Sequence, residues 1–232
     1  MNDNTAKPPQ TARKSGQPPR RRRGPATAQP QAQRVPAPSH PVLAQLAIAY
    51  PTLFGETPRP LKRGIYADLL AAQGEALDAE GLKAALAQHT RSTRYLSSVA
   101  AGMARHDLQG QAVEAMAPEH VLHALLEVHK RRQGRSQEDL RPKLRQRIIQ
   151  AFEASGMSRE DYAALLPSRD PAIRELFDQA LDEAATRAAK DAALHRAYSA
   201  SGLEPEAFAA SYGLTAAEVS RMLERVKRRS AN

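Results

Sequence analysis

The chain has 232 residues, 41% of them hydrophobic but only 4% aromatic, with no Trp, no Cys and a net charge of +9. So few aromatic side chains favour small helical units over one large core, and the lack of Cys excludes disulfides and thiolate metal sites, which fits a reducing cytoplasm. No apolar run approaches the roughly 18 residues of a membrane span, and the basic N-terminus has no apolar stretch behind it, which excludes a secretory signal.

The charge is unevenly placed. Residues 1–38 carry eight Lys/Arg against Asp3 alone, whereas residues 39–134 carry ten against nine and residues 135–232 sixteen against fifteen. The first segment is rich in Pro, Gln and Ala, and Val35 is its one bulky apolar residue after Met1. It cannot bury enough surface to offset chain entropy and is expected to be a disordered basic arm. Its run Arg20-Arg21-Arg22-Arg23 either attracts nucleic acid through counterion release or only aids solubility.

From His40 to Tyr50, Val42, Leu43, Leu46, Ala47 and Ile48 fall close to helical spacing, and Pro51 ends the segment. Leu53 and Phe54 follow as core plugs. Pro58 and Pro60 impose an extended connection, so Lys62 and Arg63 start the next helix, which runs to about Ala72 with Ile65, Leu69 and Leu70 inward. Asp78 reads as the N-cap of a helix over Ala79–His89 that buries Leu82, Ala85 and Leu86. Lys83 projects from a neighbouring face.

Thr90-Arg91-Ser92 breaks that helix and begins another through Tyr95, Leu96 and Val99, with Thr90 or Ser92 as the cap. A helix start offers unpaired N–H donors and partial positive charge, so the polar corner made by Thr90, Arg91, Ser92 and Arg94 suits a phosphate-bearing ligand. Tyr95 is either a core edge or a platform on which a terminal base stacks. Asp107-Leu108-Gln109-Gly110 predicts the turn of a small β-hairpin within Ala104–Val113. Arg105 on its first arm is then either rigidly aimed at a ligand or paired with Asp107 or a nearby acid. Pro118 opens a helix with Val121, Leu122, Leu125, Leu126 and Val128 as its packing stripe, closed by Lys130, Arg131 and Arg132. His120, His123 and His129 do not complete a metal site, and no nucleotide loop, nucleophile elbow or carboxylate pair is present, so neither a cofactor nor an enzyme is expected.

Three blocks carry a family resemblance: PRPLKRGIYADLL (58–70), LKAALAQHTRSTRYL (82–96) and GMARHDLQG (102–110). In that order and spacing they resemble the ProQ/FinO family of bacterial RNA chaperones, over about residues 40–132. The resemblance implies a compact, mainly α domain that grips terminator-like 3′ ends, a hairpin base with its single-stranded tail. It places Lys62, Lys83, Arg94, Tyr95 and Arg105 at RNA-contact positions, with Thr90 and Ser92 at the helix start that holds the terminal phosphates and Arg91 between them. Three positions depart from the family pattern: His89 and Thr93 stand where aromatics are common, and Ala79 where a lysine is frequent. The implied role is post-transcriptional, acting on small RNAs and mRNAs in the cytoplasm, with RNA as partner.

After a short linker at residues 134–137 the chain repeats itself. Residues 151–157, AFEASGM, align with residues 197–203, AYSASGL, an offset of 46 that continues through Tyr162/Phe208, Ile173/Val219 and Leu176/Met222. The organisation expected is therefore a basic arm (1–38), a ProQ/FinO-like domain (39–134) and a duplicated helical module (135–232). In the second copy Ala209, Gly213 and Val219 fit a helix-turn-helix, with Arg221, Arg225, Lys227, Arg228 and Arg229 on or beyond its second helix. A DNA-binding regulator working through that module, or a protein-interaction module, is the alternative reading.

Overall fold

The computed structural model describes Met1, residues 40–74 and residues 78–230. The arm, including Arg20, Arg21, Arg22 and Arg23, lies outside the described residues. The architecture is mainly α with one two-stranded antiparallel sheet.

Two short helices, α1 (Pro41–Ala49) and α2 (Pro51–Phe54), lead in. The His40 ring accepts the Val42 N–H at 3.3 Å as a side-chain N-cap. Proline opens both helices, where its missing N–H costs nothing, so Pro51 ends one helix and starts another. Leu46 is buried, but Ile48, about 200° further round the helix, is 85% exposed and does not join the core.

Helix α3 (Ile65–Gln73) starts three residues later than the sequence pattern suggests. Gly64 takes φ 80, which turns the chain between Lys62 and Ile65. Helix α4 (Ala79–Thr90) is capped by Asp78, whose Oδ2 accepts the Gly81 N–H at 2.7 Å. It buries Leu82, Ala85, Leu86 and His89, and α5 (Thr93–Ala100) follows after one turn.

The hairpin pairs β1 (Arg105–His106) with β2 (Ala112–Glu114). Asp107 organises its turn, with Oδ1 accepting the N–H groups of Gln109 and Gln111 at 3.0 and 2.8 Å, and Gly110 at φ 74 closes it. The extended stretch before α3 lies along β1: the His106 N–H donates to the Pro60 carbonyl at 2.7 Å and the Lys62 N–H to the His106 carbonyl at 2.8 Å. The two prolines hold this stretch extended, and β1 satisfies the backbone groups they leave.

Helix α6 (Pro118–Gln133) packs on α5, and α7 (Arg141–Ser155) packs on α6. One hydrophobic core therefore runs from Leu46 through Leu122, Leu125, Ile148 and Ile149 to Phe177, Leu181 and Ala184, passing the linker at residues 134–137 without a break. Arg147 on α7 strengthens this junction by donating to the Ala100 carbonyl at the end of α5 at 3.1 Å.

The duplication is visible in atomic detail. In the first copy α7 ends in Ser155-Gly156, α8 (Arg159–Ala164) follows, and α9 (Pro171–Ser201) begins; in the second, α9 ends in Ser201-Gly202 and α10 (Pro205–Ser211) and α11 (Ala216–Ser230) follow. The two glycines have φ/ψ of 65/8° and 64/10°. Ser155 donates to the Phe152 carbonyl at 2.7 Å and Ser201 to the Tyr198 carbonyl at 2.8 Å. The ring pairs Phe152–Tyr162 and Tyr198–Phe208 each stand 5.2 Å apart. The second copy has a small core of its own: Phe208, Ala209, Val219 and Met222.

Candidate nucleic-acid interface

The corner between α4 and α5 forms because two capping chemistries meet there. Thr90 is still helical, and its hydroxyl donates back to the Leu86 carbonyl at 2.9 Å, so it does not cap the next helix. Ser92 does, its Oγ accepting the Tyr95 N–H at 3.1 Å. The amides of Thr93 and Arg94 belong to the first turn of α5, where no carbonyl one turn earlier is available to them.

Cations gather at this helix start. Arg91 and Arg94 are exposed, and neither pairs with a carboxylate among the described residues. Arg131 reaches over from α6, donating to the Arg91 carbonyl at 2.7 Å and to the Thr93 hydroxyl at 3.4 Å, while Glu127 balances its charge at 3.5 Å. Arg132 donates to the Ser97 hydroxyl at 3.4 Å. Sequence reading took Arg131 and Arg132 as helix-end charges only. Their role at the corner depends on the α5–α6 packing, which no local pattern announces. Lys83 is exposed on α4, seven residues before Thr90, and shares its helix face about 10 Å along the axis.

Tyr95 is not a stacking platform. Its ring is 6% exposed, packed edge-on to the His89 ring at 5.2 Å, and its hydroxyl accepts the Leu61 N–H at 3.0 Å. The spacing of α5 explains this: Tyr95 lies on the same face as Val99, which faces the core. Burial pushes the Tyr95 phenol up, opposed in part by the Leu61 N–H and by the charge of Arg105. Nearby, Ser98 donates to the Pro58 carbonyl, so α5 holds the extended stretch at two points.

Arg105 grips the same stretch from the other side, donating from Nη1 to the Leu61 carbonyl at 3.1 Å, with Glu114 at 3.9 Å from Nε. Its side chain is 15% exposed, so it is a strut with part of its guanidinium fork left over. Asp107, offered from sequence as a partner, is occupied by the hairpin turn. Lys62 pairs with Asp68 at 2.8 Å, and Arg63 with Glu114 at 3.1 Å.

The structure therefore divides the sequence-derived set. Thr90, Arg91, Ser92 and Arg94 form one corner, joined by Arg131. Tyr95 and Arg105 converge on the backbone of Leu61, while the next residue, Lys62, turns its side chain to Asp68. His89, one of the departures, is a core ring between Phe54 at 4.7 Å and Tyr95. Burial lowers its pKa from 6.5 to about 4, with the Leu53 backbone partly opposing, and its Nε2 is buried without a partner.

Fold and corner together define the class: a mainly helical domain whose distinguishing surface is a cationic helix junction. Residues 37–141 match the ProQ/FINO family model, so this region of the chain is similar to that family. It is 42% identical over 91 residues to the RNA chaperone ProQ of Vibrio vulnificus (strain CMCP6), covering 37% of this chain and 44% of that protein. The RNA chaperone ProQ of Shewanella oneidensis is 41% identical over 88 residues, covering 36% of this chain and 41% of the relative. The crystal structure of a FinO-like RNA chaperone from Neisseria meningitidis MC58 shares 32% identity, with a TM-score of 0.33, over 36% of this chain and 85% of that one. The chain thus spans less than half the length of these curated relatives, and residues 142–232 lie outside the matched family region.

Proposed function

We propose that the chain is an RNA-binding protein of the chaperone type, which captures structured RNAs by a hairpin base and its 3′ tail and so acts post-transcriptionally on small RNAs and mRNAs. The observation that carries this reading is the α5 start. The first-turn amides of Thr93 and Arg94 lie beside the exposed Arg91 and Arg94 and the anchored Arg131. Amide donors, helix dipole and full charges at one point suit a terminal phosphodiester and the ribose after it. Lys83 and the solvent side of Lys62 add phosphate contacts along the duplex, and the leftover guanidinium of Arg105 adds another. The names of the relatives, RNA chaperones, agree with this reading.

Binding of this kind needs no cofactor and no turnover. Selection follows the shape of hairpin and tail more than base identity, because the contacts are to the backbone. The test uses the whole chain, because the core continues past residue 134 and cutting there would expose it. A terminator hairpin with a 3′ U-rich tail should bind more tightly than the same hairpin without its tail. Equal affinity for the two RNAs would refute the reading.

A further inference from the structure

The two copies of the C-terminal repeat share a groove, but the helix segment that closes it carries opposite net charge in the two. In the first copy the groove is lined by Arg141, Arg145, Glu175, Leu176 and Gln179; in the second, the residues 46 further on, Arg187, Asp191, Arg221, Met222 and Arg225, line a groove of about 310 Å³ together with Lys190. Glu175 has become Arg221, Gln179 has become Arg225, and the Asp182-Glu183 pair has become Arg228-Arg229. Residues 171–183 of α9 carry one cation and four carboxylates, whereas the matching residues 217–229 of α11 carry five cations and two carboxylates.

The ion pair that locks each copy has reversed its polarity. Arg145 meets Glu183 at 3.3 Å in the first copy; at the same two positions in the second, Asp191 meets Arg229 at 2.6 Å. Asp191 also takes Arg225 in a bidentate grip, Nε at 2.9 Å and Nη2 at 2.7 Å. This carboxylate is 3% exposed and faces two guanidiniums, each about 30% exposed, so the lock itself carries surplus positive charge. The locked residues hold α11 against α9. Three more cations, Arg221, Lys227 and Arg228, are exposed on α11 and pair with no carboxylate among the described residues, and Lys190 is exposed across the groove. Arg221, Arg225 and Arg228 recur at i, i+4 and i+7, one helix face. Glu218, the acid in the groove, is engaged as a capping box by the Thr215 N–H and hydroxyl, both at 2.8 Å.

We infer that the α9–α11 groove is a second RNA-backbone contact surface, which supplies affinity without selecting 3′ ends; this rests on the RNA-binding reading above. Charge is the ground for choosing RNA phosphates as the occupant. A protein partner of this size of surface would need an apolar or aromatic anchor at its centre, and here the groove's apolar residues Leu194, Leu214 and Met222 lie beneath a rim of cations. A row of exposed Lys and Arg along the rim of a groove is the composition of a nucleic-acid interface. The first copy, with Glu175 and Asp182 in place of Arg221 and Arg228 and leucines in place of Lys190 and Lys227, serves as scaffold to the second.

The test uses the full chain carrying Lys190→Ala, Arg221→Ala, Lys227→Ala and Arg228→Ala together. This variant leaves Asp191, Arg225 and Arg229 in place and should keep its melting temperature. Affinity is measured across a KCl series for a terminator hairpin with and without its 3′ tail, and for duplex DNA of matched length. The variant should lose about tenfold in affinity for both RNAs alike, flatten the slope of log Kd against log salt by about 2–3, and keep the parent's preference for the tailed RNA. An unchanged affinity and slope for RNA, or a loss confined to duplex DNA, overturns the inference. Arg94→Ala tested alongside separates the two readings, because that change should reduce the preference for the tail and leave the α11 contribution standing.

Discussion

The hydroxyl oxygen of Tyr95 accepts the Leu61 N–H at 3.0 Å, across 34 residues of chain. Arg105 donates to the carbonyl of the same leucine at 3.1 Å, so one buried residue directly after Pro60 is held by its N–H and its C=O at once. This clamp fixes the extended stretch that carries Lys62 against the helix that starts at the cationic corner. It makes Tyr95 and Arg105 positioning residues first, with any RNA contact by Arg105 coming from the guanidinium N–H groups the clamp leaves free.

Tyr95→Phe keeps the ring and removes the acceptor, which leaves a buried N–H without a partner. Stability should fall by about 1–3 kcal/mol, measured by urea denaturation at neutral pH. The preference for a 3′ tail, measured well below the melting temperature, should persist in this variant. Unchanged stability would mean that the hydrogen bond to Leu61 is not formed in solution.

Arg91→Ala with Arg94→Ala removes two exposed charges that bond to no other side chain, so the melting temperature should stay within a degree or so of the parent. RNA affinity should fall by about 1–3 kcal/mol, with the loss larger for tailed than for tailless hairpins. Filter binding of the two RNAs checks both parts. A large drop in melting temperature would show that the corner is structural.

His89 is neutral in the folded protein down to about pH 4, while in the unfolded chain it takes a proton below about 6.5. Between those values the unfolded state binds more protons. The contribution of His89 to stability is therefore complete above pH 6.5 and is lost progressively as pH falls toward 4. His89→Phe puts an apolar ring between Phe54 and Tyr95 and removes this limb. Its stability relative to the parent should be higher at pH 5 than at pH 7 by about 1 kcal/mol or more, read from urea curves at the two pH values. An equal difference at both would contradict the buried, neutral imidazole.

Asp191→Ala strands two guanidiniums and should cost about 1–3 kcal/mol, less than a fully buried pair because both arginines are partly solvated. Burial pushes the Asp191 carboxyl up, but its bonds to Arg225 and Arg229 outweigh this and hold it below its ordinary value. Asp191→Arg combined with Arg225→Gln and Arg229→Glu installs the polarity of the first copy. That triple variant should recover much of the loss in a melting experiment, whereas Asp191→Arg alone should not.

Much of the domain could be read from residue pattern. Asp78 and Pro118 announced helix starts, Thr90 or Ser92 announced a third that the structure gives to Ser92, Asp107 and Gly110 announced the hairpin turn, and the 46-residue register announced the duplication down to its Ser-Gly stops. The corner was legible too, because a cap and its neighbouring charges are contiguous in sequence. Hidden were the relationships made by packing. Nothing local distinguishes a tyrosine that presents its ring from one that buries it and reaches a backbone N–H 34 residues away. Arg131 and Arg105 were likewise legible as charges, but not as groups tied to the Arg91 and Leu61 carbonyls. Ile48 fitted a loose count of apolar spacing, yet it lies on the wrong side of its helix.

Whether the α5 start receives the free end of an RNA is read from one chemical change in the ligand. Affinity of the full chain is measured for a terminator hairpin whose U-rich tail ends in a 3′ hydroxyl and for the same RNA ending in a 3′ phosphate. The capped corner should accept the hydroxyl end, and the added phosphate should weaken binding about tenfold, a difference that shrinks in Arg91→Ala/Arg94→Ala. Equal affinity for the two ends in the parent protein would contradict it.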